Sequence, residues 1–167
     1  ASTSTDNEVT YDTTAPSVTV EQAAGQPDPT NAAPILFTVT FSEPVTGFDA
    51  SDVTLSGTAG ATTANITGSG PVYTLEVSGM TGDGTVIAEI PVDAAQDAAG
   101  NGNTASTSVD NEVTYDATAS TVAVEQAAGQ PDPTNTAPIL FTVTFSEPVT
   151  GFDASDVTLS GTAGATT

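Results

Sequence analysis

No lysine, arginine, histidine, cysteine or tryptophan occurs in the 167 residues, whereas aspartate and glutamate together number 21. Each absence removes a class of function. Without cations the chain has nothing to set against a phosphate backbone, which excludes nucleic acid as a partner. An anionic membrane surface is excluded by the same sign argument. Without cysteine there is no disulfide framework, and the compartment cannot be read from redox chemistry. Without histidine or cysteine, neither a Ser-His nor a Cys-His nucleophile can be built, nor the usual zinc site. Long apolar runs are missing too: no stretch approaches the ~18 residues of a membrane span. A chain without lysine or arginine also offers nothing to trypsin-type proteases, which suits a secreted or cell-surface location.

What is present favours strands. The apolar fraction is 37%, gathered into short runs of Val, Ile, Leu and Phe among many threonines, unlike the scattered charge of a disordered acidic tail. The charge of −21 opposes compaction: two unit charges about 10 Å apart repel by roughly 0.4 kcal/mol in water, and no cation in the chain offsets the sum. Something outside the chain, salt or bound divalent metal, is expected to neutralise it.

Residues 1–63 recur as 105–167, a period of 104, with six differences: Thr5/Val109, Thr13/Ala117, Pro16/Ser120, Ser17/Thr121, Thr19/Ala123 and Ala32/Thr136. That period is too long for a solenoid and fits one small β domain. Residues 1–11 read as the last strand of a preceding module, 12–115 as a complete module, and 116–167 as the N-terminal half of the next. The expectation is a window on a longer repetitive polymer.

Strict alternation marks the strands. Ile35, Phe37, Val39 and Phe41 share one face, as do Tyr73, Leu75 and Val77. Over Thr85–Val92, Val86, Ala88, Ile90 and Val92 share another. Shorter candidates are Val18–Val20, Val53–Leu55, Ala61–Thr67 and Val109–Tyr115, and clusters of Gly, Pro, Asp and Asn punctuate them. About seven short strands per module predict an all-β, immunoglobulin-like Greek-key sandwich, repeated in tandem. Phe37, Phe41 and Tyr73 are expected in its core; Phe48 has no clear place.

The stretch Phe41-Ser42-Glu43-Pro44-Val45-Thr46-Gly47-Phe48, then Asp49-Ala50-Ser51-Asp52-Val53, resembles bacterial immunoglobulin-like (Big) domains. So do Asp97-Ala98-Ala99-Gly100-Asn101 and the linker Asp12-Thr13-Thr14-Ala15-Pro16. The resemblance covers a full module and implies a sandwich in large secreted or surface-anchored proteins, often adhesins, without catalysis. The second linker, Asp116-Ala117-Thr118-Ala119-Ser120, departs from the pattern by losing proline, which predicts a less rigid junction.

Calcium is the cofactor the residues suit. It takes six to eight oxygens, and extracellular modules bind it at roughly 0.1–1 mM. In a seven-strand sandwich the chain entry, the loop after the second strand and the loop before the last strand meet at one end. That predicts a cluster of Asp12, Glu43, Asp93, Asp97 and Asn101, with Asp116 and Glu147 repeating it at the next junction. The competing reading has Asp97 and Asn101 making turn hydrogen bonds only, with Glu43 capping a strand end. Asp28 and Asp83, at the other end, read as solvated turns, with a reach across a junction as the alternative. Asp49 and Asp52 read as turn and solvent-face residues, with metal contact as the lesser alternative.

The expected function is therefore mechanical: a stalk or fibre of near-identical modules, stiffened by calcium at the joints, with lateral or end-to-end self-association open. The alternatives are a glycan- or receptor-binding module, which would need exposed aromatics or a distinctive loop, and an accessory domain of a secreted hydrolase. Paired carboxylates alone do not make a glycosidase, and an enzyme is not expected.

Overall fold

The computed structural model describes residues 5–164, so part of the strand expected at 1–11 and the last three residues of the half-module expected at 116–167 lie outside the described residues. The chain divides into two compact units, Ala1–Ala117 and Thr118–Thr167.

Among the described residues the first unit contains seven strands: β1 (Val18–Gln22), β2 (Ile35–Phe41), β3 (Thr54–Ser56), β4 (Thr63–Ser69), β5 (Val72–Ser78), β6 (Gly84–Glu89) and β7 (Glu112–Tyr115). They form two antiparallel sheets, ordered β1-β2-β5-β4 and β3-β6-β7. The alternating phase read from β2 and β5 is the phase that is buried. Ile35, Phe37, Val39, Leu75 and Val77 are wholly inaccessible, and they pack with Val86, Ala88 and Val113 of the other sheet into one core. Burial of such side chains, at roughly 1.5–3 kcal/mol each, is the main force holding the sheets together. Phe48 proves to be a core residue: Phe41, Phe48 and Tyr73 meet edge to face at centroid distances of 5.1–5.9 Å.

Two strand readings need correction. The strand expected to run to Val92 ends at Glu89, because Pro91 has no N–H for a ladder; Ile90 stays buried, but Val92 is 61% exposed. The strand expected from Val109 begins at Glu112. Residues 107–110 run instead beside β1, where Thr107 N–H donates to Val18 C=O and Gln22 N–H to Asp110 C=O. The Glu21 carboxylate takes the Val109 and Asp110 N–H groups at 3.1 and 2.8 Å. This segment covers the β1 edge, which an open sheet would otherwise leave for another chain.

The second unit contains β8 (Val122–Gln126) and β9 (Phe141–Phe145) in one antiparallel pair. Among the described residues no helix is long and apolar enough to cross a membrane.

Candidate metal centre

One end of the first unit gathers carboxylates from three segments distant in sequence. The register pairs Val18 with Phe41, so the start of β1 and the end of β2 lie together. Ser42 N–H donates to Ser17 C=O and Ser17 N–H to the Ser42 hydroxyl, at 2.9 and 3.0 Å. The long loop between β6 and β7 is tied to the same end. Thr46 and Gln96 exchange backbone bonds of 2.7 and 3.0 Å, and Thr104 N–H reaches Pro16 C=O at 2.9 Å. Within that loop Asn103 is fully buried: its side-chain oxygen accepts from Ala95 N–H, and its amide donates to Pro91 and Thr104 C=O. No local pattern announced this residue, because the groups it satisfies are assembled by the loop itself.

Asp12, Glu43 and Asp97 consequently converge, each offering an oxygen within 4.8 Å of the others. Asp97 is the buried member, at 4% exposure, while Asp12 and Glu43 are half-buried. Asp97 is held rigidly. One carboxylate oxygen accepts the Ala99 and Asn101 N–H groups at 2.8 Å each, and the other accepts the Asn101 side-chain amide at 2.8 Å. The Asn101 side-chain hydrogen bond keeps the Asp97 carboxyl below its ordinary pKa; partial desolvation opposes this, and the backbone amides of Asn101, Ala99 and Gly100 reinforce it. Asp97 is therefore anionic at neutral pH. Asn101 also donates to Asp12 C=O at 3.2 Å, and Asp12 caps its own turn by accepting Thr14 N–H at 2.9 Å.

The family model described as Bacterial Ig-like domain matches residues 12–115. The chain belongs to this family. Neither a curated protein nor a solved structure matches it.

Within this bacterial Ig-like domain the anticipated ligands separate. Asp12, Glu43 and Asp97 come together. Asn101 donates its side-chain amide to Asp97 and so orients that carboxylate. Asp93 stands apart: exposed, with φ of 61°, it turns its carboxylate against Gly102, where an added Cβ would lie 2.0 Å from the Asp93 oxygen. Asp116 belongs to the first unit and Glu147, half-buried, to the second.

Three nearby carboxylates repel one another and attract a cation. The donor set is all oxygen, which suits hard ions such as calcium or magnesium rather than zinc. Three carboxylates, with one acceptor site left on Asp97, can supply three to five of the six to eight oxygens calcium takes. The turn bonds and the cation reading are compatible, because a carboxylate has about four acceptor sites and Asp97 uses three.

The opposite end differs from its sequence reading. Asp28 and Asp83 are exposed, yet they are not merely solvated. Asp28 accepts Thr114 N–H at 2.9 Å, and Asp83 accepts Ala117 N–H at 2.8 Å. Asp49 and Asp52 close a reciprocal capping box around the 3-10 turn Ala50–Asp52.

Proposed function

We propose that the chain is a structural spacer of an extracellular or surface-anchored bacterial protein, a stalk or fibre of tandem Ig-like modules. Calcium rigidifies each module at its entry. Asp12, Glu43 and Asp97 ligate the ion, and Asn101 orients Asp97. Neighbouring modules and calcium are the partners.

The convergence of Asp12, Glu43 and Asp97 carries the reading. Asp12 lies on the segment entering the module, so an ion shared with Glu43 and Asp97 ties the incoming chain to the module body. A stalk must transmit orientation from one module to the next, and an ion bridging the entry segment to two loops restricts that joint. The composition fits: a surface carrying only negative side chains keeps chains apart in solution while recruiting cations.

Calcium titration followed by NMR tests it. Addition of calcium should shift the amide resonances of Asp12, Glu43 and Asp97–Asn101, with saturation in the millimolar range, and Asp97→Asn should abolish the shifts. Resonances at this end that ignore calcium and chelator alike would sink the calcium reading.

A further inference from the structure

The end of the first unit from which the chain leaves is built differently from the entry. Strand β7 pairs with β6 along one side, Gly84 opposite Tyr115 and Thr85 opposite Thr114. Its other side receives the loop 26–30. Thr30, buried, donates its N–H to Thr114 C=O and accepts Asp116 N–H, both at 2.9 Å, in a short parallel bridge with Tyr115. The Asp28 carboxylate takes Thr114 N–H, and the Asp83 carboxylate, from the loop preceding β6, takes Ala117 N–H. Four hydrogen bonds from two loops thus grip residues 114–117 on both flanks of Asp116. These partners lie 86 and 34 residues away from the carboxylates in sequence.

We propose that Asp28 and Asp83 are positioning residues of a metal-independent exit clamp, which orders residues 114–117 as the chain leaves the first unit. Backbone N–H to carboxylate bonds are charge-assisted, among the stronger hydrogen bonds available at a surface, and they need no cation. The two ends of a module are then unlike: calcium organises the entry, and the module's own carboxylates organise the exit. The clamp also places Asp116, the counterpart of Asp12, with its backbone already ordered before any ion binds. In that last respect the inference rests on the spacer reading above.

Backbone 15N relaxation on the full chain in excess EDTA tests the clamp. The wild type should show order parameters near about 0.85 through Ala117, and Asp28→Ala/Asp83→Ala should drop Asp116 and Ala117 below about 0.6. Amide exchange at Ala117 should accelerate about tenfold. Asp28→Asn/Asp83→Asn should restore most of the order, because the amide oxygen still accepts. Strands β2 and β5 should be unchanged in every variant. Unaltered order at 116–117 in the alanine variant overturns the clamp. So does order that appears in the wild type only with calcium, or loosening that spreads equally through β2 and β5. The spacer reading fails by a different result, calcium-blind resonances at Asp12, Glu43 and Asp97.

Discussion

Asp6–Asp12 and Asp110–Asp116 share one sequence, Asp-Asn-Glu-Val-Thr-Tyr-Asp, and take different structures. In the second copy Glu112–Tyr115 is strand β7 and Val113 is 0% exposed; in the first there is no regular element and Val9 is 93% exposed. The near-repeated hairpins make the same point. Strands β1 and β2 pair in the same register as β8 and β9, Val18 with Phe41 and Val122 with Phe145. Yet Phe37 is inaccessible, while its counterpart Phe141 is 59% exposed. Register is local, set by alternation and by the turn. Burial is tertiary, supplied here by β5, β6 and β7, whose positions one period of 104 later lie beyond residue 167. A lone two-stranded pair is marginal in water.

The largest effect expected from this contrast comes from truncating the same residue twice. Phe37→Ala should cost about 3–5 kcal/mol, the range for a buried aromatic, read by urea unfolding of the full chain. Phe141→Ala should change that transition by less than about 0.5 kcal/mol, as exposed substitutions do. Equal losses would show that the second unit is packed as tightly as the first.

Asn103→Leu comes next. It leaves the buried Ala95 N–H without its partner, at about 1–3 kcal/mol, whereas the Pro91 and Thr104 carbonyls, on exposed residues, can turn to water. A loss of about 1–3 kcal/mol, confined to the unfolding of the first unit, is expected. A loss below that of an ordinary surface change would mean water replaces the side chain.

How far the sequence alone reached follows the same division. Strands β2 and β5 were legible because apolar residues alternate along their inward face, with only Leu36 and Val72 apolar on the outward one, and the convergence of Asp12, Glu43 and Asp97 was legible because sheet topology brings their segments together. Asp93 was misplaced because its left-handed backbone turns the carboxylate towards Gly102, which no spacing rule conveys. Asn103, Asp28 and Asp83 escaped because their hydrogen bonds join segments with no local relation. The Asp49–Asp52 box is a four-residue pattern and was readable in principle.

Calcium should act on one end of the first unit and stabilise it by a smaller amount. For a site binding at roughly 0.1–1 mM, 10 mM calcium stabilises the folded state by about 1.4–2.7 kcal/mol. Differential melting with calcium and with EDTA measures this, and Asp97→Asn should remove the difference. A calcium effect that survives this substitution would move the site away from Asp97.

The smallest expected effect separates local from tertiary structure most directly. Asp49 and Asp153 sit in identical capping boxes, each accepting the hydroxyl and the N–H of the serine two residues on. In both, the serine hydroxyl bond comes first and the backbone bond second in holding the carboxyl below the ordinary 3.8, against slight desolvation. A carboxyl whose folded pKa is depressed contributes stability that is fully present above the unfolded value and is lost as pH falls through the folded one. The loss therefore belongs to pH below 3.8. Carboxyl 13C titration should give midpoints under 3.8 for both residues, and Asp49→Asn should flatten the acid limb of the first unit's stability curve. The 3-10 turn at Ala50–Asp52 also lies against β4, a support its counterpart at Ala154–Asp156 has no strand to supply among the described residues. If Asp49 alone titrates low, the box depends on β4, and even this four-residue device belongs to the tertiary side of the comparison.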